Sequence, residues 1–351
     1  MLYDRGLLLL DDPVSKYIPS FAAMTRVSGS SEEATPCSTA ITVRHLLNHT
    51  SGLTYGFFDG TGPAGVVDRL HRALPRVGAT STKGCDALAK CPLAFEPGSA
   101  FRYSNATAVL GRVVTVAAGV PLDKFFQNEV CEKLEMVDTA YFVPPEKQNR
   151  VATAYTRITV EEEASIEGSS VADGWKAAAK KKLVRMPDAA QECPDSQGGF
   201  IAADGGLFTT AKDWGKFMAM LCDKGAHLLS QSAWEVMVAP STPNLATDFN
   251  SHWADPADTA GPYLCANHAT GGFAHSLCGE VVVDSSLAGC GPCSNGTFGW
   301  EGIFTTKFMI DPMTGVSWAA FSQVHPCWEH NLKAELGPLI FTAMNESYAK
   351  L

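Results

Sequence analysis

No stretch of the 351-residue chain holds about eighteen apolar residues in a row, so the sequence offers no single helix for crossing a membrane. A basic stripe is missing as well. Lys and Arg number 27 against 37 Asp and Glu, and the net charge is −10. The charges are dispersed, which argues against nucleic acid as the main partner. The one local contrast, Glu161–Glu163 ahead of Lys180–Lys182, reads as solvated surface. No Gly-x-Ser-x-Gly pentapeptide occurs, which removes a strand–turn–helix nucleophile elbow from consideration. Internal repeats are absent too, and with them a repeat architecture.

What is present is a globular composition. With 46% hydrophobic and 18% charged residues, the chain can bury a core in one large or two ordinary domains. Eleven cysteines, an odd number, leave at least one without an intrachain partner. Together with Asn-x-Ser/Thr sequons at Asn48, Asn105, Asn295 and Asn345, they lean toward a secretory route. The opening Met1–Gly6 shows no signal peptide. It reads as the last turn of a helix with Gly at C′, so further sequence upstream is expected.

Along the chain, Asp11-Asp12-Pro13 starts a short helix that stops near Pro19, and residues 20–40 read as loop. Thr42 caps a helix through Leu47, and residues 54–65 read as an exposed loop. Val109, Leu110, Val113, Val114 and Ala117 keep a helical period closed by Gly119 and Pro121, and a second helix carries Phe125, Phe126, Val130 and Leu134. Residues 143–200 are irregular. Thr210 and Ser230 cap two more helices. Val281–Val283 is strand-like, Ile303–Ile310 and Val316–Val324 form a hairpin, and about 327–350 is helical.

Phe101–Thr107, reading FRYSNAT, concentrates chemistry. Tyr103, Ser104 and Asn105 stand between Glu96-Pro97-Gly98 and a helix start. A tyrosine there is either buried beside an Asn cap or a cleft-facing general base, its phenol lowered from about pH 10 by a nearby cation.

Five stretches in order settle between these readings: GLLLLDDPVSKYIP at 6–19, ITVRHLLNHTSGL at 41–53, FEPGSAFRYSNATAVLGRVV at 95–114, GGLFTTAKDWGKF at 205–217 and FGWEGIFTTKFMIDP at 298–312. With them the chain resembles the β-lactamase-related serine hydrolases, which include class C β-lactamases, D-alanyl-D-alanine carboxypeptidases and esterase relatives. The resemblance implies an α+β fold of the β-lactamase/transpeptidase type, with an antiparallel sheet flanked by helices and a mostly helical lobe at about 20–200. An α/β lobe at about 201–351, joined by 1–19, completes a single domain with a Cys-rich insertion at about 255–297. It implies acyl transfer on a small-molecule ester or amide, without a cofactor. Tyr103 falls on the general-base position and Asn105 on the substrate-binding position. Trp300-Glu301-Gly302 falls on the third motif, so the Ile303 N–H becomes an oxyanion donor. Trp300 in first place is similar to family esterases and speaks against carboxylate recognition. Glu301 either adds a carboxylate to the cleft or, on a strand, faces away from Trp300 and Gly302. A glycan on Asn105 would fill the cleft.

The family's Ser-x-x-Lys nucleophile motif is absent from its place, and the resemblance puts it about a dozen residues before Met1, together with the family's first strands. The only Ser-x-x-Lys in the chain is Ser347–Lys350, at a surface helix end. Acyl transfer is therefore expected to fail in the chain as it stands, and a catalytically dead binding or scaffold homologue is the alternative. An in-frame Ser-x-x-Lys upstream would separate the two.

A third reading, metal or thiol-redox chemistry, rests on Cys265, His268, His275, Cys278, Cys290 and Cys293. Cys290-Gly291-Pro292-Cys293 copies a redox tetrapeptide but sits in loop sequence, and a disulfide-stapled insertion is the expectation. Cys85 and Cys91 are another candidate disulfide. His45 and His49, at metal-binding spacing, read as packing and loop-anchoring residues.

Overall fold

The structure, a computed structural model, describes residues 1–28, 33–56, 62–74, 81–159, 181–186, 201, 203–242, 271–325 and 332–348. Glu161–Glu163, Lys180, Gly198, Gly199, Cys265 and His268 lie outside them.

The first residues form a helical end. Gly6, at φ +67°, lets its N–H reach the Tyr3 carbonyl at 2.9 Å and lets the Leu7 N–H reach Leu2 at 3.0 Å. Both are bonds of the paired closure that glycine makes possible after a last helical turn. A single 3₁₀ turn, Val14–Lys16, stands where the helix was expected, and a second, Pro19–Ala23, runs into the stretch expected as loop. The expected loop at 20–40 also holds a hairpin of β1 (Thr25–Val27) and β2 (Ala34–Pro36).

Helix α1 (Val43–Leu47) starts as expected, with Thr42 Oγ1 accepting from the His45 N–H at 3.3 Å and the His45 ring returning the bond to the Thr42 N–H. Helices α2 (Gly62–Arg72) and α3 (Thr82–Leu88) follow, then α4 (Ala106–Ala118) and α5 (Leu122–Phe126), the last continued by a π turn at Gln127–Cys131. Leu46, Leu53, Leu93, Val109 and Val113 gather with Phe21 and Ile41 into the core of this half.

Strands β3 (Tyr155–Thr159) and β4 (Lys181–Arg185) pair within the irregular 143–200 region, and β10 (Val324–His325) joins them in parallel. Helix α6 (Ala211–Cys222) is capped by Thr210 and α7 (Gln231–Val238) by Ser230, as the sequence indicates.

A five-stranded antiparallel sheet runs β5 (Phe273–His275), β6 (Glu280–Val282), β7 (Phe298–Gly302), β8 (Thr306–Asp311) and β9 (Val316–Ala320) in spatial order. The described part of the Cys-rich stretch thus supplies two strands of the sheet, and helix α8 (Ser285–Ala288) lies on the link between β6 and β7. Ile303 lies in the β7–β8 turn, not at the head of a strand, and β9 ends at Ala320.

Alternation sorts the sheet into two faces. Val281, Phe298 and Ile310 pack on Met218, Leu221 and Trp234 of α6 and α7. Val282, Met309 and Trp318 pack on Phe341 of the last helix, α9 (Leu332–Tyr348). This is the α+β arrangement of an antiparallel sheet flanked by helices that the motifs implied.

Among the described residues, no single helix is long and apolar enough to cross a membrane. Cys85 and Cys91 are both buried in the helical half, and the candidate disulfide between them is not formed.

Candidate active site

The FRYSNAT segment is held by backbone bonds before any side chain acts. The Arg102 N–H donates to the His49 carbonyl at 2.9 Å, and the Asn105 N–H donates to Thr54 at 3.3 Å. His49 adopts a left-handed φ of +55°, which ends α1 sharply and turns its ring inward. Asn105 occupies the N-cap position of α4 without capping it. Its side-chain amide donates to the Thr54 carbonyl at 2.9 Å, and the buried Ser104 hydroxyl accepts the Ala106 N–H instead. Residues 101–106 and 49–54 are therefore stitched into one wall.

A buried ion pair fixes that wall to α2. Arg102 and Asp68 are both nearly inaccessible and their guanidinium and carboxylate are in contact. The other Asp68 oxygen accepts the Gly56 N–H at 3.2 Å.

Tyr103 then stands among rings from three parts of the chain. Its centroid lies 4.5 Å from His49, 5.3 Å from Tyr55 and 5.5 Å from Trp300. His275, from β5, touches both His49 at 5.4 Å and Trp300 at 5.2 Å, and Phe101 closes the base at 5.2 Å from His275. Tilted and edge-on contacts at these separations suit the quadrupoles of aromatic rings. The Tyr55 hydroxyl donates to Asp204 at 3.3 Å. Burial, with Tyr103 and Asp204 close by, pushes the Tyr55 phenol well above its ordinary range, so it stays a donor.

The structure thus brings Tyr103 and Trp300 together. Gly302 and the exposed Ile303 follow Trp300 at the β7–β8 turn, where a Cβ on Gly302 would stand 2.3 Å from Thr306 Oγ1. Glu301 takes the second of its two expected courses. Register pairs it with Lys307, and its carboxylate lies 3.5 Å from that ammonium on the face opposite Trp300. His45 and His49 diverge, one capping α1 and the other facing Tyr103. Among the described residues no three metal-ligating side chains converge.

Tyr55, His275 and Asp204 were not legible in the sequence as members of the group around Tyr103 and Trp300. Tyr55 had only its place two residues after Leu53, and His275 looked like a ligand in a Cys/His-rich stretch. Asn48 is buried and donates to Ser241 at 2.9 Å, which closes that sequon to a glycan.

The buried imidazoles make a pH prediction. Burial, reinforced by His275, holds the His49 pKa well below the usual imidazole range. Burial also lowers His71, against the opposing pull of the Thr54 carbonyl and Asp68. Both rings stay neutral in the fold but protonate in the unfolded chain below about pH 6.5. The unfolded chain then binds more protons, so stability should fall as pH drops from about 7, by about 1.4 kcal/mol per ring per pH unit until each folded pKa is reached. Carboxylates act in a lower window: the Tyr17 hydroxyl, Lys16 and the Leu9 N–H hold Asp12 at about 2. Urea unfolding at pH 7, 6 and 5 checks this, and a flat profile would show the rings charging inside the fold.

Comparison with known proteins agrees with this architecture. Protein Rv1367c of Mycobacterium tuberculosis (strain ATCC 25618 / H37Rv) is 30% identical over 321 residues, which cover 89% of this chain and 70% of that one. Esterase EstB of Burkholderia gladioli is 37% identical over 142 residues, covering 40% of this chain and 34% of its own. Among solved structures, unliganded selenomethionyl simvastatin synthase (LovD) from Aspergillus terreus shares the fold at a TM-score of 0.73 and 23% identity, over 98% of this chain and 79% of that one. A family model described as Beta-lactamase matches residues 1–336, nearly the full length, and the chain belongs to that family of β-lactamase-related serine hydrolases.

Proposed function

We propose that the aromatic wall formed by Tyr103 and Trp300 is the ester-binding side of an acyl-transfer site. In this reading Tyr103 is the proton-transfer residue, Asn105 a substrate contact and the Ile303 N–H an oxyanion donor. The observation that carries it is the contact of the Tyr103 and Trp300 rings at 5.5 Å, which joins two motifs far apart in sequence on one wall. The esterase name of one relative supports ester chemistry.

Charge supports a neutral ester over a carboxylate-bearing substrate. Arg102 is spent on Asp68, and Lys307 lies on the far face of the sheet with Glu280 and Glu301. What lines Tyr103 is aromatic, which suits the apolar body of an aryl or acyl group.

The Ser347 hydroxyl donates to the Ala343 carbonyl at 2.8 Å on α9, which covers the sheet face opposite Trp300. Ser347 opens the one Ser-x-x-Lys in the sequence and lies on that far-side helix, which supports a second reading, a member that binds esters without turning them over.

Two measurements test the proposal. The purified chain should not label with a fluorophosphonate probe, and labelling that survives Ser347→Ala would reveal another nucleophile. Phenyl acetate should bind, and Trp300→Ala should weaken that binding about tenfold, or ~1.4 kcal/mol. Equal binding by Trp300→Ala would remove Trp300 from the site.

A further inference from the structure

Two cysteines away from the cleft are held in a geometry that packing alone does not require. Helix α8 ends on Gly289 in the left-handed region, and the chain folds back so that the Cys290 and Cys293 sulfurs stand 3.2 Å apart. Both are buried in the core between the sheet and α9, with Phe273, Met309, Trp318 and Phe341. Only Pro292, between them, is exposed.

The loop is clamped from several directions. Gly291 has φ +92°, and a Cβ there would stand 2.4 Å from the Pro338 Cα of α9. A Cβ on Gly337 would stand 2.6 Å from the Cys290 carbonyl. Asn345 donates to the Pro292 carbonyl at 3.0 Å, the Ser294 N–H donates to Asp311 at 2.9 Å, and the Ser285 N–H donates to Asn295 at 2.8 Å. Closing a sulfur–sulfur bond here asks for a small approach of two atoms already in contact, on a backbone that is already ordered.

The two thiols are also unequal. Contact with Cys290 lowers the Cys293 pKa against the effect of burial, while Cys293 and burial raise Cys290. Cys293 is also the nearer to solvent, beside the exposed Pro292, whereas Cys290 is wholly inaccessible, so a small oxidant meets Cys293 first.

We propose that Cys290 and Cys293 form a peroxide-reactive dithiol that closes into a reversible intrachain disulfide, with Cys293 the attacking sulfur and Cys290 the resolving one. The Cys293 thiolate attacks one oxygen of hydrogen peroxide, the O–O bond breaks, and hydroxide leaves as water on taking up a proton. Cys293 is then a sulfenic acid. The Cys290 sulfur attacks the Cys293 sulfur, the S–O bond breaks, and the second hydroxide leaves as water with the Cys290 proton. Two thiols are oxidised by two electrons and one peroxide is reduced to two waters.

Chymotrypsin cleavage after Leu287 and Phe298 releases Ala288–Phe298, which contains these two cysteines and no other. The full chain is treated with hydrogen peroxide, alkylated with iodoacetamide and digested. The expected fragment is two hydrogens lighter and unalkylated, and prior dithiothreitol restores two alkylated cysteines. In Cys290→Ser the fragment should trap dimedone at Cys293. In Cys293→Ser it should not trap dimedone at Cys290. The proposal is overturned if the fragment stays doubly alkylated at a dose that converts the exposed Met313 to its sulfoxide, if it is cross-linked to another cysteine, or if the two variants trap dimedone in the opposite sense. Should a variant fail to fold, the mass of the wild-type fragment decides alone.

Discussion

Glu280→Gln is expected to cost about 3–5 kcal/mol of folding stability, the scale set by removing one partner from a buried ion cluster. Glu280 is inaccessible on β6 and serves two ammoniums at once. One oxygen accepts from Lys307 at 2.7 Å and the other from Lys333 at 2.6 Å. Lys333 also stands 3.9 Å over the Phe273 ring, which places the cluster between the sheet and α9. Burial drives the Lys307 pKa down, but Glu280 and Glu301 more than offset it and the net direction is up. For Lys333 burial wins, aided by Lys307, and the net direction is down.

Glutamine keeps the shape and removes the charge, so among the described residues two buried cations then share Glu301, which is 3.5 Å from Lys307. One lysine must shed its proton, or α9 must lift to let water in. Urea unfolding at pH 7 measures the loss. A triple change of Glu280, Lys307 and Lys333 to methionine should recover most of it, because apolar replacements of a whole buried cluster are often neutral or better. A loss below about 1 kcal/mol for Glu280→Gln would mean that water already reaches the cluster.

Clusters of this kind mark the limit of what the sequence discloses. Thr42, Thr210 and Ser230 were legible because a cap acts within three residues, and each caps its helix. Gly6 was legible as a helix end for the same local reason. The five ordered motifs disclosed the α+β fold through the family they resemble.

The hairpin at 25–36 was missed. Its strands are three residues each, and the second is wholly exposed, so no alternation exists to read. Strands β5 and β6 were read as part of an insertion, although Val281–Val283 gave a strand signal. All six of their residues are buried, so the alternation of a half-exposed strand is erased, and His275 reads as one of a Cys/His-rich group. The clustering of Tyr55, Tyr103, His275 and Trp300 depends on contacts between distant segments, and no spacing rule reports these.

Asp68→Ala should be as damaging as the loss of Glu280, and it should also reach the cleft. The Arg102 guanidinium is almost wholly buried against Asp68, so removing the carboxylate takes the ion-pair partner from a buried charge and costs about 3–5 kcal/mol. Asp68 also holds the Gly56 N–H, one residue from Tyr55, and Arg102 is one residue from Tyr103. A single carboxylate thus fixes the backbone on both sides of the Tyr55–Tyr103 ring contact.

Two effects are therefore combined in Asp68→Ala, and paired variants separate them. Asp68→Ala with Arg102→Met removes the stranded charge and should regain most of the stability, yet it leaves the Gly56 N–H without its acceptor. Asp68→Asn keeps an oxygen for that N–H and loses the charge. If the carboxylate positions the rings, the double variant should be nearly as stable as the parent but bind phenyl acetate more weakly, whereas Asp68→Asn should lose stability and keep more of the binding. Unfolding in urea and titration with the ester, both at pH 7, read the two quantities apart. Equal losses of binding in the double variant and in Asp68→Asn would sink the positioning role and leave Asp68 a partner for Arg102 alone.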